Sequence, residues 1–216
     1  MHFRANAVIG GFIVGIVAVT AIVSALWTPY GPLAVSLTER FQPPSMRHWL
    51  GTDEFGRDVL SRIMAGAGTS AAIAVITVLF ATLAGTAVGL VAGFLRGWVD
   101  RAAMAVNDAL LAFPGILLAL GIVVVTGAGK YGIVLALGLA YAPSVARVVR
   151  GTVLSVRERE FIEASYAVGN SAAYTMFRHV LPNCLAPIMV LATSMIGWVF
   201  LSESALSFLG LGVPPP

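Results

Sequence analysis

The chain has 216 residues, of which 58% are hydrophobic and only 11% are charged, and its formal net charge is +3. Because soluble domains carry about 25% charged residues, a chain this apolar cannot cover a water-facing surface, and its composition excludes an ordinary soluble globular protein. The only cysteine, Cys184, excludes an intrachain disulfide, and the three histidines lie too far apart in the sequence to suggest a metal site.

Five stretches that are poor in charged residues predict membrane-spanning helices, since a helix needs roughly 20 apolar residues to cross the hydrocarbon core. The predicted spans cover about residues 7–27, 69–94, 102–125, 131–149 and 182–202. The apolar part of the first span is longer than the core of a signal peptide, which usually has ~7–15 residues. We therefore expect a retained anchor rather than a cleaved signal peptide.

The basic residues between the spans indicate the orientation, because cytoplasmic loops carry the excess of Lys and Arg. The side of the membrane that holds the N-terminus would carry Arg4, Arg96, Arg101, Arg147, Arg150, Arg157, Arg159 and Arg178. The other side would carry Arg40, Arg47, Arg57, Arg62 and Lys130, which are diluted by acidic residues. The N-terminus is therefore predicted to be cytoplasmic.

The segment before the second span predicts an amphipathic helix over residues 52–65 on the outer face of the membrane. Thr52 is a suitable N-cap, and Asp53 is favourable near the positive end of a helix dipole. Asp53/Arg57 and Asp58/Arg62 have the i,i+4 spacing of helical ion pairs. This helix would serve either as a connector or as a docking surface for an external partner.

A second polar segment, residues 155–182, lies between the fourth and fifth predicted spans. The Ser155 to Glu158 spacing predicts a capping box and therefore a helix start. The helix would end at Gly169, a second short helix would begin at Asn170 or Ser171, and Pro182 would turn the chain back into the membrane. The pattern predicts two short helices that project from the membrane into the cytoplasm.

The residues in this segment resemble the EAA loop of ABC importer permeases. The matching residues are Glu163, Ala164, Ser165, Gly169, Leu181 and Pro182, with Ser165 in place of the second alanine of the motif. Further stretches resemble the dipeptide/oligopeptide/nickel branch, and within it the second permease of the pair: His48-Trp-Leu-Gly-Thr-Asp-Glu-Phe-Gly-Arg-Asp58, Leu111-Ala-Phe-Pro-Gly115 and Ala205-Leu-Ser-Phe-Leu-Gly-Leu-Gly212. The resemblance extends from about residue 8 to 216. That family usually has a sixth span after the Gly-Leu-Gly segment, and this chain stops before it. The Pro-Pro-Pro end directly after a span suggests a truncated chain, and a chain that naturally lacks the sixth span is the alternative.

The resemblance implies an all-α bundle of the type I importer permease kind, with residues 1–216 as one transmembrane domain in a bacterial cytoplasmic membrane. It implies that the six EAA-loop residues couple the permease to an ATP-binding subunit. The implied partners are a homologous permease, two ATP-binding subunits, an extracytoplasmic solute-binding protein and the lipid bilayer, with no nucleic acid. Peptides are the implied solutes, while nickel and glutathione-like solutes remain open.

The chain has no sequence of its own for ATP hydrolysis, because the G-x-x-x-x-G-K-[ST] motif is absent. Residues 127–132 fit G-x-G-x-x-G but lack the strand and acidic residue that a dinucleotide site requires. We therefore expect no cofactor in this chain and no enzymatic activity, with ATP and Mg²⁺ bound by the partner subunits. A passive channel or structural subunit, and an unrelated membrane enzyme, are the alternatives.

Two acidic residues, Asp108 and Glu203, lie in or beside predicted spans. Acidic residues at membrane depth mark either a transport pathway or a structural ion pair, and the sequence leaves both readings open. Three glycines in the second span, at positions 85, 89 and 93, form a ladder of small residues. Such a ladder predicts close helix packing, with the partner permease as one candidate for the facing helix.

Overall fold

The computed structural model describes residues 2–213, with side chains described from Ala5 onwards. The described residues are helical apart from their connecting loops and one isolated β-bridge between Thr52 and Asp58. This confirms the all-α fold class. The chain divides into two compact units, one that extends to Ile73 and one that covers Ala74–Val213.

The helices follow one another with short connections, except for the long segment 27–58 between the first two, which contains a single 3₁₀ turn. They are α1 (His2–Leu26), a single 3₁₀ turn (Leu37–Glu39), α2 (Val59–Leu95), α3 (Gly97–Leu111), α4 (Gly115–Thr126), α5 (Lys130–Val156), α6 (Glu160–Ala167), α7 (Ala172–Thr175), a π-helical turn (Met176–Val180) and α8 (Leu181–Phe208). Within residues 2–213, four stretches are long and apolar enough to cross a membrane: Ala5–Leu26, Val59–Leu95, Lys130–Val156 and Ala172–Phe208.

The predicted third span, 102–125, is not one straight helix. It is divided into α3 and α4, whose axes differ in direction by 93°. Pro114 explains the break, because proline disfavours helical backbone at the residue before it and has no N–H to donate. Pro114 itself has φ −55° and ψ 127°, and α4 begins at the next residue, Gly115. The bent pair counts as a fifth span only if α3 and α4 together cross the membrane.

The predicted outer helix over residues 52–65 is wrong for residues 52–58. Gly56 has φ +72°, which interrupts any helix, and α2 begins only at Val59. The Asp53 side chain instead closes a turn, because its Oδ1 accepts the backbone N–H groups of Phe55 (2.8 Å) and Arg57 (3.0 Å). The i,i+4 pair of Asp53 with Arg57 is present within this turn, at 2.8 Å.

Asp58, predicted to pair with Arg62, binds other groups. Its Oδ2 accepts the backbone N–H of Ser61 at 2.8 Å, so it caps the start of α2. Its Oδ1 lies 3.0 Å from Nδ1 of His48, and both side chains are buried. Arg62 pairs instead with Asp53, at 2.5 Å. The loop before α2 is therefore an ordered turn that is held by side-chain hydrogen bonds.

Both of these aspartates are held in the ionised state. Burial raises the pKa of Asp53, but hydrogen bonds from the Arg57 and Phe55 backbone and from the Arg57 guanidinium outweigh it and lower the pKa to about 2. Burial likewise raises the pKa of Asp58, and hydrogen bonds from Ser61 and His48 lower it below the ordinary value.

Helix α5 is the centre of the second unit, where it packs against α3, α4 and α8. Its buried residues are Ile133, Ala136, Leu137, Gly138, Ala140, Pro143, Val145, Ala146, Val149, Val153 and Val156. The glycine ladder of α2 also faces α5. A Cβ atom added to Gly85, Gly89 or Gly93 would lie 2.5, 2.8 and 2.9 Å from the Cβ atoms of Val145, Val149 and Val153, respectively.

The ladder is therefore a helix-packing face, as predicted, and the facing helix belongs to the same chain. Glycine is required there because a side chain would collide with the backbone or the valine row of α5. Association of helices in lipid depends on this kind of close backbone approach, since apolar side chains gain little by leaving an apolar solvent.

Candidate functional site

The candidate site is the α6–α7 hairpin, residues 160–180, which connects α5 to α8. Gly169 closes the turn between its two helices with φ +88°. The N–H of Asn170 donates to the carbonyl of Ser165 at 3.1 Å, and the N–H of Gly169 donates to that of Tyr166 at 2.9 Å. These two bonds define a Schellman motif, which favours glycine because its backbone is left-handed. The predicted end of the helix at Gly169 is confirmed.

The start of the hairpin differs from the prediction. Helix α5 continues through Ser155 to Val156, so the spacing of Ser155 and Glu158 does not form a capping box. The extended backbone of Arg159 (φ −87°, ψ 146°) separates α5 from α6. The second predicted cap is present, because the hydroxyl of Ser171 accepts the backbone N–H of Tyr174 at 3.2 Å.

The connection to the membrane also differs from the prediction, because Pro182 does not turn the chain. The helix continues without a break from Ala172 to Phe208. A π-helical turn, Met176–Val180, precedes the proline, and the N–H of Leu181 donates to the carbonyl of Met176. In an ordinary α-helix, a proline ring clashes with the carbonyl four residues before the proline. The wider π-helical turn gives the carbonyl at that position more room. Leu181 and Pro182 are thus the first residues of α8.

A buried polar contact holds the two short helices together. The hydroxyl of Ser165 forms a 3.0 Å hydrogen bond with the hydroxyl of Thr175, and the side-chain amide of Asn170 donates to Ser165 at 3.2 Å. Ser165 is 6% exposed and Thr175 is fully buried. The serine that departs from the family motif therefore has a structural role. The sequence offered a signal for this contact, because the predicted hairpin places Thr175, ten residues further on, in the helix that faces Ser165.

The outer face of α6 is apolar and uncovered. Phe161 is 38% exposed and Val168 is 82% exposed, with the exposed Ala164 between them. These three residues have the i, i+3, i+7 spacing of one helix face, and Glu163 is exposed next to them. Ile162 (2% exposed) packs on the opposite side of the helix. An exposed apolar face on a hairpin with a fixed internal structure is suited to bind another protein.

The base of the hairpin is bound to the end of α2. The Arg157 guanidinium donates to the carbonyl oxygens of Phe94 (2.5 Å) and Gly93 (3.4 Å). These carbonyls belong to the last turn of α2, where the helix itself supplies no N–H partner. Beside this contact, Arg96 and Glu158 form an exposed ion pair at 3.0 Å. Sequence reasoning did not predict either contact, because both join segments about 60 residues apart.

The two acidic residues near the spans have different surroundings. Asp108, in α3, forms an exposed ion pair with Arg147 of α5 at 2.6 Å. Glu203, in α8, is only 6% exposed and accepts a hydrogen bond from the hydroxyl of Ser207 at 3.0 Å. A second pair between α3 and α5, which sequence reasoning missed, joins Asp100 to Arg150 through two bonds of 2.5 and 2.6 Å. The partly buried Asp100–Arg150 pair holds α3 against α5, and the exposed Asp108–Arg147 pair adds little.

Across residues 5–213, whose side chains are described, no group of three or more His, Cys, Asp or Glu could hold a metal ion. The structure is a set of helices long enough to cross a membrane, with an ordered hairpin between α5 and α8. The fold is that of a polytopic helical membrane protein whose α6–α7 hairpin carries an exposed apolar face.

Comparison with known proteins identifies the class. Residues 85–216, which include the whole hairpin, match the family described as the inner membrane component of binding-protein-dependent transport systems. The chain belongs to this family, which confirms the ABC importer permease resemblance. It is a multi-pass transport component of an inner membrane, and a permease rather than an ATPase.

Three relatives illustrate the similarity. A putative peptide transport system permease of Brucella suis is 41% identical over 207 residues, which cover 95% of this chain and 70% of the relative. The dipeptide permease DppC of Alkalihalophilus pseudofirmus is 40% identical over 210 residues, or 97% of this chain and 69% of the relative. The glutathione permease GsiD of Pectobacterium atrosepticum is 42% identical over 173 residues, or 80% and 58%.

Proposed function

We propose that this chain forms half of the translocation pathway of an importer of peptides, and that the α6–α7 hairpin is where an ATP-binding subunit docks. The observation that carries the proposal is the uncovered apolar face of α6 (Phe161, Ala164 and Val168) on a hairpin that is fixed internally by Ser165 and Thr175. A fixed hairpin loses little conformational entropy on binding, so its exposed apolar area can contribute to affinity.

The hairpin can transmit movement because it has no flexible link to the membrane on its C-terminal side. Residues 172–208 are one uninterrupted helix, so a displacement of α7 is a displacement of α8. ATP and Mg²⁺ would be bound by the docked subunits, and closure of those subunits would move the hairpin and the helices attached to it. We propose that the hairpin and the start of α8 couple the docked subunit to the membrane helices. The residues of this segment that match the EAA motif are Glu163, Ala164, Gly169, Leu181 and Pro182.

The proposed complex contains a homologous permease, two ATP-binding subunits and an extracytoplasmic solute-binding protein. The hairpin and the N-terminus are cytoplasmic in this arrangement, and the loop before α2 faces the solute-binding protein. The excess of arginine on the hairpin side of the membrane supports this orientation. Peptides are the proposed solutes because the three relatives are named as peptide, dipeptide and glutathione permeases.

Reconstitution of the complex tests both parts of the proposal. The assembly, purified through a tag on this chain, is placed in proteoliposomes, and ATP-dependent accumulation of radiolabelled trialanine is measured. A cysteine that replaces Ala164 should cross-link to a co-purifying ATP-binding subunit, whereas one that replaces Ser45 should not. Trialanine flux that is independent of ATP would favour a passive channel, and a hairpin cysteine that cross-links to no ATP-binding subunit would contradict the docking site.

A further inference from the structure

The strongest remaining feature is the joint between the hairpin and the inner end of α2. Three valines of α5, at positions 145, 149 and 153, pack on the three glycines of α2 with a spacing of four residues. Arg157 is the next residue in that row, one turn beyond Val153. Helix α2 ends at Leu95, before it could present a further glycine to this position of α5. Arg157 therefore contacts the free carbonyls at the end of α2.

The chemistry of Arg157 fits this position. Its guanidinium is a fixed donor fork, always charged, and it points at the negative end of the α2 dipole. It donates to the carbonyls of Phe94 and Gly93, and its central carbon lies 5.8 Å from the centre of the Phe94 ring. The contact is partly buried, so water competes with it less than at an exposed ion pair.

Arg157 also lies just before the hairpin on its N-terminal side. It follows the end of α5 at Val156, and only two residues separate it from the start of α6 at Glu160. The hairpin is therefore held from both sides, by the continuous helix into α8 and by a charge-assisted contact to α2.

We propose that Arg157 is a positioning residue that makes the inner end of α2 move with the hairpin, so that movement of a docked ATP-binding subunit reaches α2 as well as α8. This inference rests on the proposed function. Without the Arg157 contact, the hairpin and α8 would move while α2 lagged behind, and ATP would be hydrolysed with less transport.

The test measures whether α2 and the hairpin move as one body. Spin labels replace Leu95, at the end of α2, and Ala173, in α7, in a background with Cys184→Ala. Double electron–electron resonance gives the distance between the labels in the complete transporter, without nucleotide and after trapping with ATP and vanadate. With Arg157 present, the distance distribution should be the same in the two states. With Arg157→Met, trapping should shift or broaden it by several ångströms.

Two further variants separate positioning from general damage. Arg157→Lys keeps the charge at the helix end and should restore part of the coupled movement. Glu158→Gln removes the neighbouring exposed ion pair and should leave the distances unchanged, because exposed pairs contribute little. In proteoliposomes, Arg157→Met should raise the ATP hydrolysed per trialanine transported severalfold, because hydrolysis would continue while α2 no longer follows the hairpin.

An unchanged distance in trapped Arg157→Met would overturn the proposal, as would a wild-type distance that itself changes on trapping. Loss of co-purifying ATP-binding subunits in Arg157→Met would also overturn it, since Arg157 would then only shape the docking site. Absence of those subunits from the unmodified complex would instead contradict the proposed function, so the two failures are distinguishable.

Discussion

Gly169 offers the sharpest test of the hairpin, because the cost of a substitution there can be worked out from its surroundings. Its φ of +88° is unfavourable for any other residue, by roughly 1–2 kcal/mol for an ordinary side chain. A Cβ atom at Gly169 would meet nothing within 4 Å, so no steric collision within the chain adds to this strain. A substitution should therefore loosen the turn about tenfold and leave the helices in the membrane folded.

The perturbation is Gly169→Asp, compared with Gly169→Ala. The alanine introduces the strain alone, so we expect a moderate loss of uptake. The aspartate adds bulk and charge beside the apolar face of α6, and we expect it to abolish uptake and to weaken binding of the ATP-binding subunit. Insertion into the membrane and pairing with the second permease should stay intact, because neither depends on this exposed turn.

Gly127 provides the matched control. It also has a positive φ, +91°, and a Cβ atom there would likewise meet nothing within 4 Å. It lies in the turn after α4 instead of in the hairpin. Gly127→Asp should therefore carry the same strain and charge with little effect on ATPase binding. The assay is the amount of bound ATP-binding subunit, its activity and trialanine uptake. Equal losses in the two variants, or normal coupled uptake in Gly169→Asp, would refute the reasoning.

Three further predictions concern topology, helix packing and the loop before α2. A cysteine that replaces Ser45 should react with an impermeant maleimide in intact cells and one that replaces Asn170 should not, and the reverse pattern would contradict the orientation. Gly89→Leu should lower the stability of the folded protein by about 1–3 kcal/mol through overpacking. Gly151→Leu should not, because a Cβ atom at Gly151 meets nothing within 4 Å. Equal melting temperatures for the two variants would contradict the packing. Because the pKa of Asp53 is lowered to about 2 from roughly 3.9 when unfolded, its stabilisation is complete above pH ~4 and lost as the pH falls toward 2. Limited proteolysis of the loop should increase over that range, and Asp53→Asn should reduce this pH dependence, with the remainder due to Asp58, whose pKa is also lowered.

Much of the helical bundle could be predicted because membrane spans have a direct signature in composition. The first, second, fourth and fifth predicted spans all lie within long helices of the structure. The third corresponds to a bent pair of helices, because one proline, Pro114, decides whether an apolar stretch continues or bends, and hydropathy does not register that choice. The helix over 52–58 failed for a related reason. Its ion-pair spacing is compatible with a turn as well as a helix, and the positive φ of Gly56 favoured the turn.

The hairpin was predictable where the signal is local and was missed where it is not. Gly169 and Ser171 act on residues within one turn of themselves, so their roles follow from the sequence. Ser155 has the right neighbours for a cap, but packing of α5 across its whole length extends the helix past it. The contacts of Arg157 and Arg150 join residues that are 50 or more positions apart, and only the folded chain brings them together.

The charged contacts of the second unit are concentrated at one end of the helices. Arg157 binds the last carbonyls of α2, Arg150 and Arg147 bind aspartates of α3, and Arg96 pairs with Glu158 just before the hairpin. Most of these residues lie where α2 ends and α3 begins or in the last turns of α5, whereas Asp108 lies in the last turn of α3 and Glu158 just after α5. In lipid, the glycine ladder already fixes how closely α2 and α5 approach, but it does not prevent one helix from sliding along the other. The partly buried charge-assisted bonds of Arg157 and Arg150 resist that sliding, because their geometry is lost within about an ångström, whereas the exposed pairs contribute little. The end of the bundle next to the hairpin is thus the part best suited to move as a rigid body when the hairpin is displaced. Substitution of Arg157 should therefore weaken transport more than any single substitution on the exposed surface of α3.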